Sequence, residues 1–252
     1  MVAYDALVPR APALLAIALL AAAFPADARR RDAPRPRPTR TTLALEGERV
    51  EVRWTDGDTF KILSGRHAGA RARLQGVNAL ETFGPVHRWG ALAPAFLLEV
   101  AKQSAAVAAT SAGPCELAPR GDRYGRLLVS CPDVAATLVR AGHAMVFAVN
   151  GEPDAALVLL QREAQRSGVG IWSGGAPPRV PTSVHSGDEP DLGAEGAYDR
   201  IADTRTGRTE VVRHARSYRT CEEVCVGEGA DRACMVYVPY ALHYRNRPAC
   251  LR

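Results

Sequence analysis

Three segments that lie far apart in the sequence each place charged residues beside turn residues. They are residues 54–59 (WTDGDT), residues 73–82 (RLQGVNALET) and residues 122–126 (DRYGR). Carboxylates can hold a divalent cation or accept a proton, and an arginine guanidinium can meet two phosphoryl oxygens at once. Taken singly, each segment is a weak signal, because Asp-Gly most often marks a hairpin turn. Together, in this order along the chain, they form a more specific pattern.

Short strands and helices must position these segments. Residues 48–74 alternate apolar and polar positions in three runs separated by turn residues, which predicts a meander of three strands. The elements predicted after it are a helix over 88–108, a strand over 127–131, a helix over 133–139, a strand over 143–149 and a helix over 154–167. This order is typical of a small Greek-key barrel with packed helices.

The three segments resemble the motifs of the staphylococcal-nuclease-like, or thermonuclease, family. Its pattern is an Asp-Gly-Asp-Thr turn, an Arg-Leu strand running into Asp-x-Pro-Glu, and an Asp-[Lys/Arg]-Tyr-Gly-Arg turn. Further family-like segments follow in order at residues 89–90 (WG), 138–142 (LVRAG) and 170–172 (GIW), so the resemblance covers about residues 48–173. It implies an α+β, mainly β, fold with a five-stranded OB-fold barrel and three packed helices. It also implies a calcium-dependent phosphodiesterase that acts on DNA and RNA.

The resemblance assigns catalytic roles to three residues. Arg73 and Arg126 would meet the charge on the phosphoryl oxygens, and Glu81 would accept a proton from the attacking water or position it. Tyr124 would help to hold the substrate. The family offers tyrosines for the base after the second helix, where this chain has only Phe147 for stacking, so the resemblance implies weakened base binding.

The resemblance also implies a Ca²⁺ cofactor held by Asp58 and by the residue at position 78. The family has an aspartate there, whereas this chain has Asn78, followed by Ala79 and by Leu80 in place of the family's proline. Calcium prefers oxygen ligands, and its affinity depends on ligand charge. We therefore expect Asn78, at an exposed loop end, to ligate through its side-chain carbonyl and to lower the calcium affinity.

The composition narrows the class of protein. The chain has 252 residues, of which 47% are hydrophobic, and this excludes a collagen-like or low-complexity chain. The net charge is +5, and Lys61 and Lys102 are the only lysines among the basic residues. Arginine suits phosphate binding, but charge alone favours a nucleic-acid partner only weakly.

Residues 1–28 have the pattern of a secretory signal peptide. Arg10 precedes an apolar run over residues 11–24, and residues 26–28 (ADA) match a cleavage site. The run is 14 residues long, shorter than the roughly 20 that a membrane span needs, so an uncleaved anchor is the lesser alternative. We expect a monomer exported to the periplasm or the medium, with no membrane span in the mature chain.

Six cysteines lie after the predicted signal: Cys115, Cys131, Cys221, Cys225, Cys234 and Cys250. An even number in an exported chain favours disulfides over free thiols. Cys115 and Cys131 flank a segment with the composition of a hairpin tip, so we expect them to pair across two strands. The other four are expected to form two disulfides of open connectivity, with a zinc site involving His214 and His243 as the alternative.

Composition also predicts the chain's organisation. Residues 29–42 are rich in Pro and Arg and are expected to form an extended arm, followed by the thermonuclease-like domain over 43–173. Residues 174–204 are rich in Gly, Pro and acids, which predicts a linker. Residues 205–252 are expected to form a small disulfide-stapled module. It interleaves tyrosines with arginines, as in a second strand-binding surface, but a solvated cap or an envelope-tethering module fits as well.

These observations favour an exported, calcium-dependent nuclease. The alternative is a catalytically lapsed OB-fold module that binds single-stranded nucleic acid without cutting it, and a third option is a structural part of the cell envelope. Retention of Arg73, Glu81 and Arg126 together favours the enzyme, because a lapsed site has little reason to keep all three.

Overall fold

The computed structural model describes residues 39–190, 192 and 196–252. The predicted signal peptide and the first ten residues of the predicted arm lie outside the described residues. In chain order, the elements up to residue 167 are β1 (Thr39–Leu45), β2 (Glu48–Trp54), β3 (Thr59–Ile62), β4 (Arg71–Leu74), β5 (Gly76–Ala79), β6 (His87–Trp89), α1 (Pro94–Ala109), β7 (Pro114–Leu117), β8 (Leu127–Ser130), α2 (Pro132–Arg140), β9 (Ala144–Phe147) and α3 (Ala155–Ser167). They are followed by β10 (Arg179–Val184), β11 (Ala197–Asp203), β12 (Thr209–His214), β13 (Glu223–Val226) and β14 (Ala233–Val236).

Six strands close a barrel in the order β1-β2-β3-β4-β8-β7. Alternate apolar side chains of these strands, among them Val50, Val52 and Phe60, form the buried interior. The predicted OB-like barrel with three helices is therefore confirmed, but it has six strands instead of five. The sixth is β1, which begins at Thr39 inside the predicted arm and pairs with β2 along its whole length. Its β-branched, alternating sequence TRTTLAL suits a strand better than an extended arm.

The helices follow the local capping signals. Pro94 opens α1, and the first residues of the predicted helix form β6 instead. Asp154 caps α3 by accepting the backbone N–H groups of Ala156 and Leu157, and Gly168 ends it in the left-handed conformation at φ 58°. Within the described residues, no helix has the length and apolar character required to cross a membrane.

The segment predicted to be a linker contains β10 and β11. These strands join β12 in an antiparallel sheet, and Val180 and Ala202 are fully buried. They pack in one apolar cluster with Trp89 and Trp172 from the preceding domain. Val180 of β10 and Ala202 of β11 are thus part of a core that continues from the preceding domain.

All six cysteines are paired. Cys115 and Cys131 bridge β7 to the end of β8, as expected for a hairpin. The other two disulfides join Cys221 to Cys250 and Cys225 to Cys234. Among the described residues, one group of three His, Cys, Asp or Glu side chains has its ligand atoms within 4.8 Å of one another, and it consists of Glu223, Cys225 and Cys234. Both of its sulfurs are in a disulfide, so the zinc alternative is not supported.

Candidate active site

The turn between β2 and β3 presents two carboxylates. One oxygen of Asp56 accepts the backbone N–H groups of Asp58 and Thr59 at 3.0 and 2.7 Å, which fixes the turn. A Cβ at Gly57 would lie 2.6 Å from the Cβ of Ser104 on α1 and 2.9 Å from that of Ala79. Glycine therefore lets the turn press against the helix and β5, which brings Asp58 into the interior.

Asp58, Arg73 and Asn78 form one buried network. Asp58 is 6% exposed, and its Oδ2 accepts the backbone N–H of Ala79 at 2.5 Å. The same oxygen lies 2.7 Å from Nη1 of Arg73, while Nη2 of Arg73 donates to Oδ1 of Asn78 at 2.9 Å. The guanidinium of Arg73 thus contacts both of the predicted calcium ligands, Asp58 and Asn78.

Asn78 does not occupy the exposed loop end that we expected. It lies in β5, paired with Met145 of β9, and is 9% exposed. Its Nδ2 donates to the carbonyl of Ala79 at 3.0 Å. The difference arises because β5 pairs with β9, a strand that follows α2. No local pattern of residues 76–79 indicates this pairing.

Glu81 lies in the segment between β5 and β6, which we call the Glu81 loop (residues 80–86). The pKa of Glu81 is raised to about 7: burial is the largest cause, the Asp58 carboxylate also raises it, and Arg73 and Arg126 act in the opposite direction. Burial also raises the pKa of Asp56 well above its usual range, with further contributions from Asp58 and Glu81. Three carboxyl groups therefore share one electrostatic environment with two arginines.

The turn between β7 and β8 presents Arg126 and Tyr124. Asp122 shapes it by accepting the backbone N–H groups of both residues at 2.9 Å, and its other oxygen lies 2.6 Å from Nε of Arg126. Burial acts to raise the pKa of Asp122, but these hydrogen bonds and the guanidinium charge outweigh it, so the pKa is lowered. The half-exposed ring of Tyr124 lies under the guanidinium groups of Arg123 and Arg126, at 4.9 and 5.6 Å.

The C-terminal part of the chain holds the Glu81 loop in place. β6, directly after this loop, pairs with β14, and Nη2 of Arg247 donates to the carbonyls of Phe83 and Leu251. Phe83 and Leu251 are buried in one apolar cluster with Val238. A Cβ at Gly84 would lie 2.9 Å from the Cα of Leu251, so only glycine permits this close approach.

The same C-terminal part also reaches the other side of the site. The guanidinium of Arg123 lies 5.5 Å from the ring of Tyr198 on β11. Sequence reasoning missed these contacts. The signal that could have indicated them is the C-terminal cysteine pattern, since a stapled segment too small for its own core must pack against the preceding domain.

The donor chemistry of this site suits a hard cation. The carboxylates of Asp58, Asp56 and Glu81 and the amide oxygen of Asn78 are oxygen ligands of the kind that calcium takes. Burial is the largest cause of the raised pKa values of Asp56 and Glu81, and the neighbouring Asp58 carboxylate adds to it. A bound cation would favour the charged form of both carboxyl groups.

The predicted site residues thus come together from separate elements. Asp58 follows β2, Arg73 lies on β4, Asn78 on β5, and Glu81 and Arg126 on the loops beyond. Their roles in catalysis and metal binding stay predictions.

Comparison with known families is consistent with this arrangement. Residues 71–174 match the family described as staphylococcal nuclease homologue. The matched segment includes Arg73, Asn78, Glu81 and Arg126, and the predicted resemblance is confirmed over it. No curated protein shows significant similarity to the chain.

Proposed function

We propose that this chain, which carries a staphylococcal nuclease homologue domain over residues 71–174, is a calcium-dependent nuclease that hydrolyses phosphodiester bonds of DNA or RNA. The observation that carries the proposal is the convergence of Glu81 with Arg73 and Arg126. Both guanidinium groups act on the Glu81 carboxylate, so the candidate base and the candidate phosphate-binding groups lie within electrostatic reach of one another.

Each group has a role that its environment supports. The pKa of Glu81, about 7, is close to that of an effective general base near neutral pH, and such a base contributes about 10² to 10⁴ in rate. Arg126 is oriented by Asp122 through Nε, so its terminal nitrogens can be directed at a phosphoryl oxygen. Arg73 is held by Asp58 and Asn78, which fixes the orientation of its planar group.

Asp58 and Asn78 are the residues that would hold Ca²⁺, with Asp56 and Glu81 adding negative charge nearby. When bound, the ion would supply positive charge against the phosphate oxygens. Asn78 contributes a neutral oxygen where the family has a carboxylate, so we propose that the calcium requirement is raised without loss of the fold.

We further propose that the mature protein works outside the cytosol. All six cysteines are paired, and such disulfides persist in oxidising compartments. The proposed location agrees with the signal-like pattern of residues 1–28.

A second candidate function is binding of single-stranded nucleic acid without cleavage. The observation that favours it is that Arg73 already engages Oδ2 of Asp58 and Oδ1 of Asn78. A guanidinium in that position provides the charge compensation that a cation would otherwise supply.

A cleavage assay with the mature chain separates the two functions. We expect cleavage of single-stranded DNA or RNA with Ca²⁺, none with chelator, at least about a 100-fold loss in Arg126→Ala, and a loss in Glu81→Gln that persists at saturating calcium. Arg166→Ala, an exposed arginine on α3, is the matched control and should retain full activity. Cleavage that survives chelation or both site substitutions contradicts the nuclease. Binding of oligonucleotide without cleavage supports the second candidate.

A further inference from the structure

Four aromatic side chains, one from the Glu81 loop and three from the C-terminal part of the chain, form a surface that we call the aromatic platform: Phe83, Tyr240, His243 and Tyr244. The rings of Phe83 and His243 are stacked, with centroids 3.9 Å apart and planes 8° from parallel. Tyr244 meets both of these rings edge-on at 6.3 Å, and Tyr240 meets His243 edge-on at 5.3 Å. Nε2–H of His243 donates to the carbonyl of Val238 at 2.8 Å, so the central ring has a fixed orientation.

The outer rings of the platform are exposed although its base is buried. Tyr240 is 74% and Tyr244 69% exposed, whereas Phe83 is 8% exposed and belongs to an apolar cluster. Among the residues that the structure describes, the exposed tyrosines are these two and Tyr124 of the candidate site. Large exposed aromatic rings on a fixed base are typical of a binding surface, since packing does not require them there.

The platform borders the candidate active site. Phe83 lies two residues after Glu81 in the same loop, and Arg247 holds the carbonyl of Phe83. Burial raises the pKa of Tyr244, and the next contribution comes from the Glu81 carboxylate. The Asp56 carboxylate raises it as well, while Arg71 opposes the shift. Tyr244 is therefore within electrostatic reach of the candidate base.

The charge around the platform suits a polyanion. Arg245 is exposed and directly follows Tyr244 in the sequence. Arg71 is also exposed and acts electrostatically on Tyr244. Both arginines can contact a phosphate backbone. Phe147, the one residue after α2 that the sequence predicts could stack on a base, is half-buried and packs against an apolar cluster. The C-terminal part of the chain thus offers the exposed rings that the family-like domain lacks after α2.

We propose that the aromatic platform stacks an unpaired nucleobase next to the scissile phosphate and so directs the protein to single-stranded nucleic acid. This inference rests on the proposed function, because it takes its substrate class from it. A base inside a duplex has both faces covered by its neighbours, whereas a single strand can place a base on an exposed ring. The stacking is indifferent to base identity, because every base has a π face.

Binding measured in chelator tests the platform without relying on cleavage. The probes are a fluorescent octamer of thymidylate and an octamer of the same charge built from abasic tetrahydrofuran units. Wild type should bind the thymidylate octamer at least about fivefold more tightly than the abasic octamer. This ratio corresponds to about 1 kcal/mol, the low end of the range for one stacked base. The double variant Tyr240→Ala/Tyr244→Ala should lose this preference and keep the affinity for the abasic octamer. Tyr240→Phe/Tyr244→Phe should retain the preference, because it retains the rings.

The outcomes distinguish the platform from the nuclease. A wild type that does not prefer thymidylate, or that binds neither octamer, overturns the platform, and so does a double alanine variant that keeps the preference. A variant that loses both affinities equally also overturns it, because the rings would then act only through the fold. A chain that cleaves with calcium but shows no base preference refutes the platform alone. A chain that shows the preference but never cleaves refutes the nuclease alone.

Discussion

Replacing Asn78 with aspartate should destabilise the protein without calcium. Oδ1 of Asn78 accepts from Arg73 at 2.9 Å, and an aspartate would keep this contact. Nδ2 donates to the carbonyl of Ala79 at 3.0 Å, and an aspartate would place an oxygen there. The position is 9% exposed, so water does not readily repair the lost bond. A buried acceptor left without its donor costs about 1 to 3 kcal/mol, which the attraction between the new carboxylate and Arg73 partly offsets.

We therefore expect Asn78→Asp to lower the free energy of unfolding by about 1 to 2 kcal/mol in chelator. For a chain of this size, the melting temperature should fall by about 2 to 8 °C. Calcium should stabilise Asn78→Asp more than it stabilises the wild type, because a carboxylate adds a full charge to the ligand set. A tenfold lower dissociation constant adds about 1.4 kcal/mol of stabilisation at saturating calcium. The calcium concentration for half-maximal cleavage should fall in parallel.

Thermal melts of wild type and Asn78→Asp across a calcium titration measure both effects. Asn150→Asp is the matched control, because it adds the same charge at an exposed position and should change neither quantity. If Asn78→Asp melts at the wild-type temperature in chelator, the hydrogen bond to Ala79 has no energetic role. If calcium raises both melting temperatures equally, Asn78 does not face the cation, and the nuclease proposal loses its metal site.

Two further predictions concern the C-terminal part of the chain and its link to the Glu81 loop. Burial lowers the pKa of His87 to about 4, whereas the unfolded chain takes up this proton near pH 6.5, so stability should fall as the pH drops from about 6.5 to 4. The loss of unfolding free energy should reach roughly 3 kcal/mol. Urea unfolding at pH 7 and pH 4.5 measures it, and His87→Leu should show a smaller pH dependence than the wild type. An equal pH dependence would show that His87 is not buried in its neutral form. Replacing Cys221 and Cys250 by alanine should remove about 3.5 kcal/mol in the chain-entropy model and lower the cleavage rate, because Leu251 packs on the Glu81 loop. An unchanged rate in a folded double variant would show that this loop keeps its position without the disulfide.

Much of the barrel could be predicted because its signals are local. The alternation of residues 48–74, the cap at Asp154 and the left-handed glycine at Gly168 each depend on neighbours within a few residues. The pairing of Cys115 with Cys131 was predictable for the same reason, since a hairpin brings its two strands together.

Other features could not be predicted, because their signals were weak or distant. β10 and β11 lie in a segment whose composition indicates a linker, and their few apolar residues gain meaning only when Trp89 and Trp172 cover them. The burial of Asn78 depends on pairing with β9, which follows two intervening helices. Propensity is a weak guide in such places, because tertiary packing decides the outcome.

The candidate site residues can be recognised in the sequence. The order and spacing of Asp58, Arg73, Glu81 and Arg126 are readable in the chain, since each stands beside a turn with a recognisable pattern. How these groups are held, and which residues border them, depends on the folded structure. Arg247 reaches the carbonyl of Phe83 across 164 residues, and the aromatic platform combines rings from two distant segments. Such contacts depend on the complementary shapes of surfaces that meet only after folding, and no periodicity or local propensity encodes them.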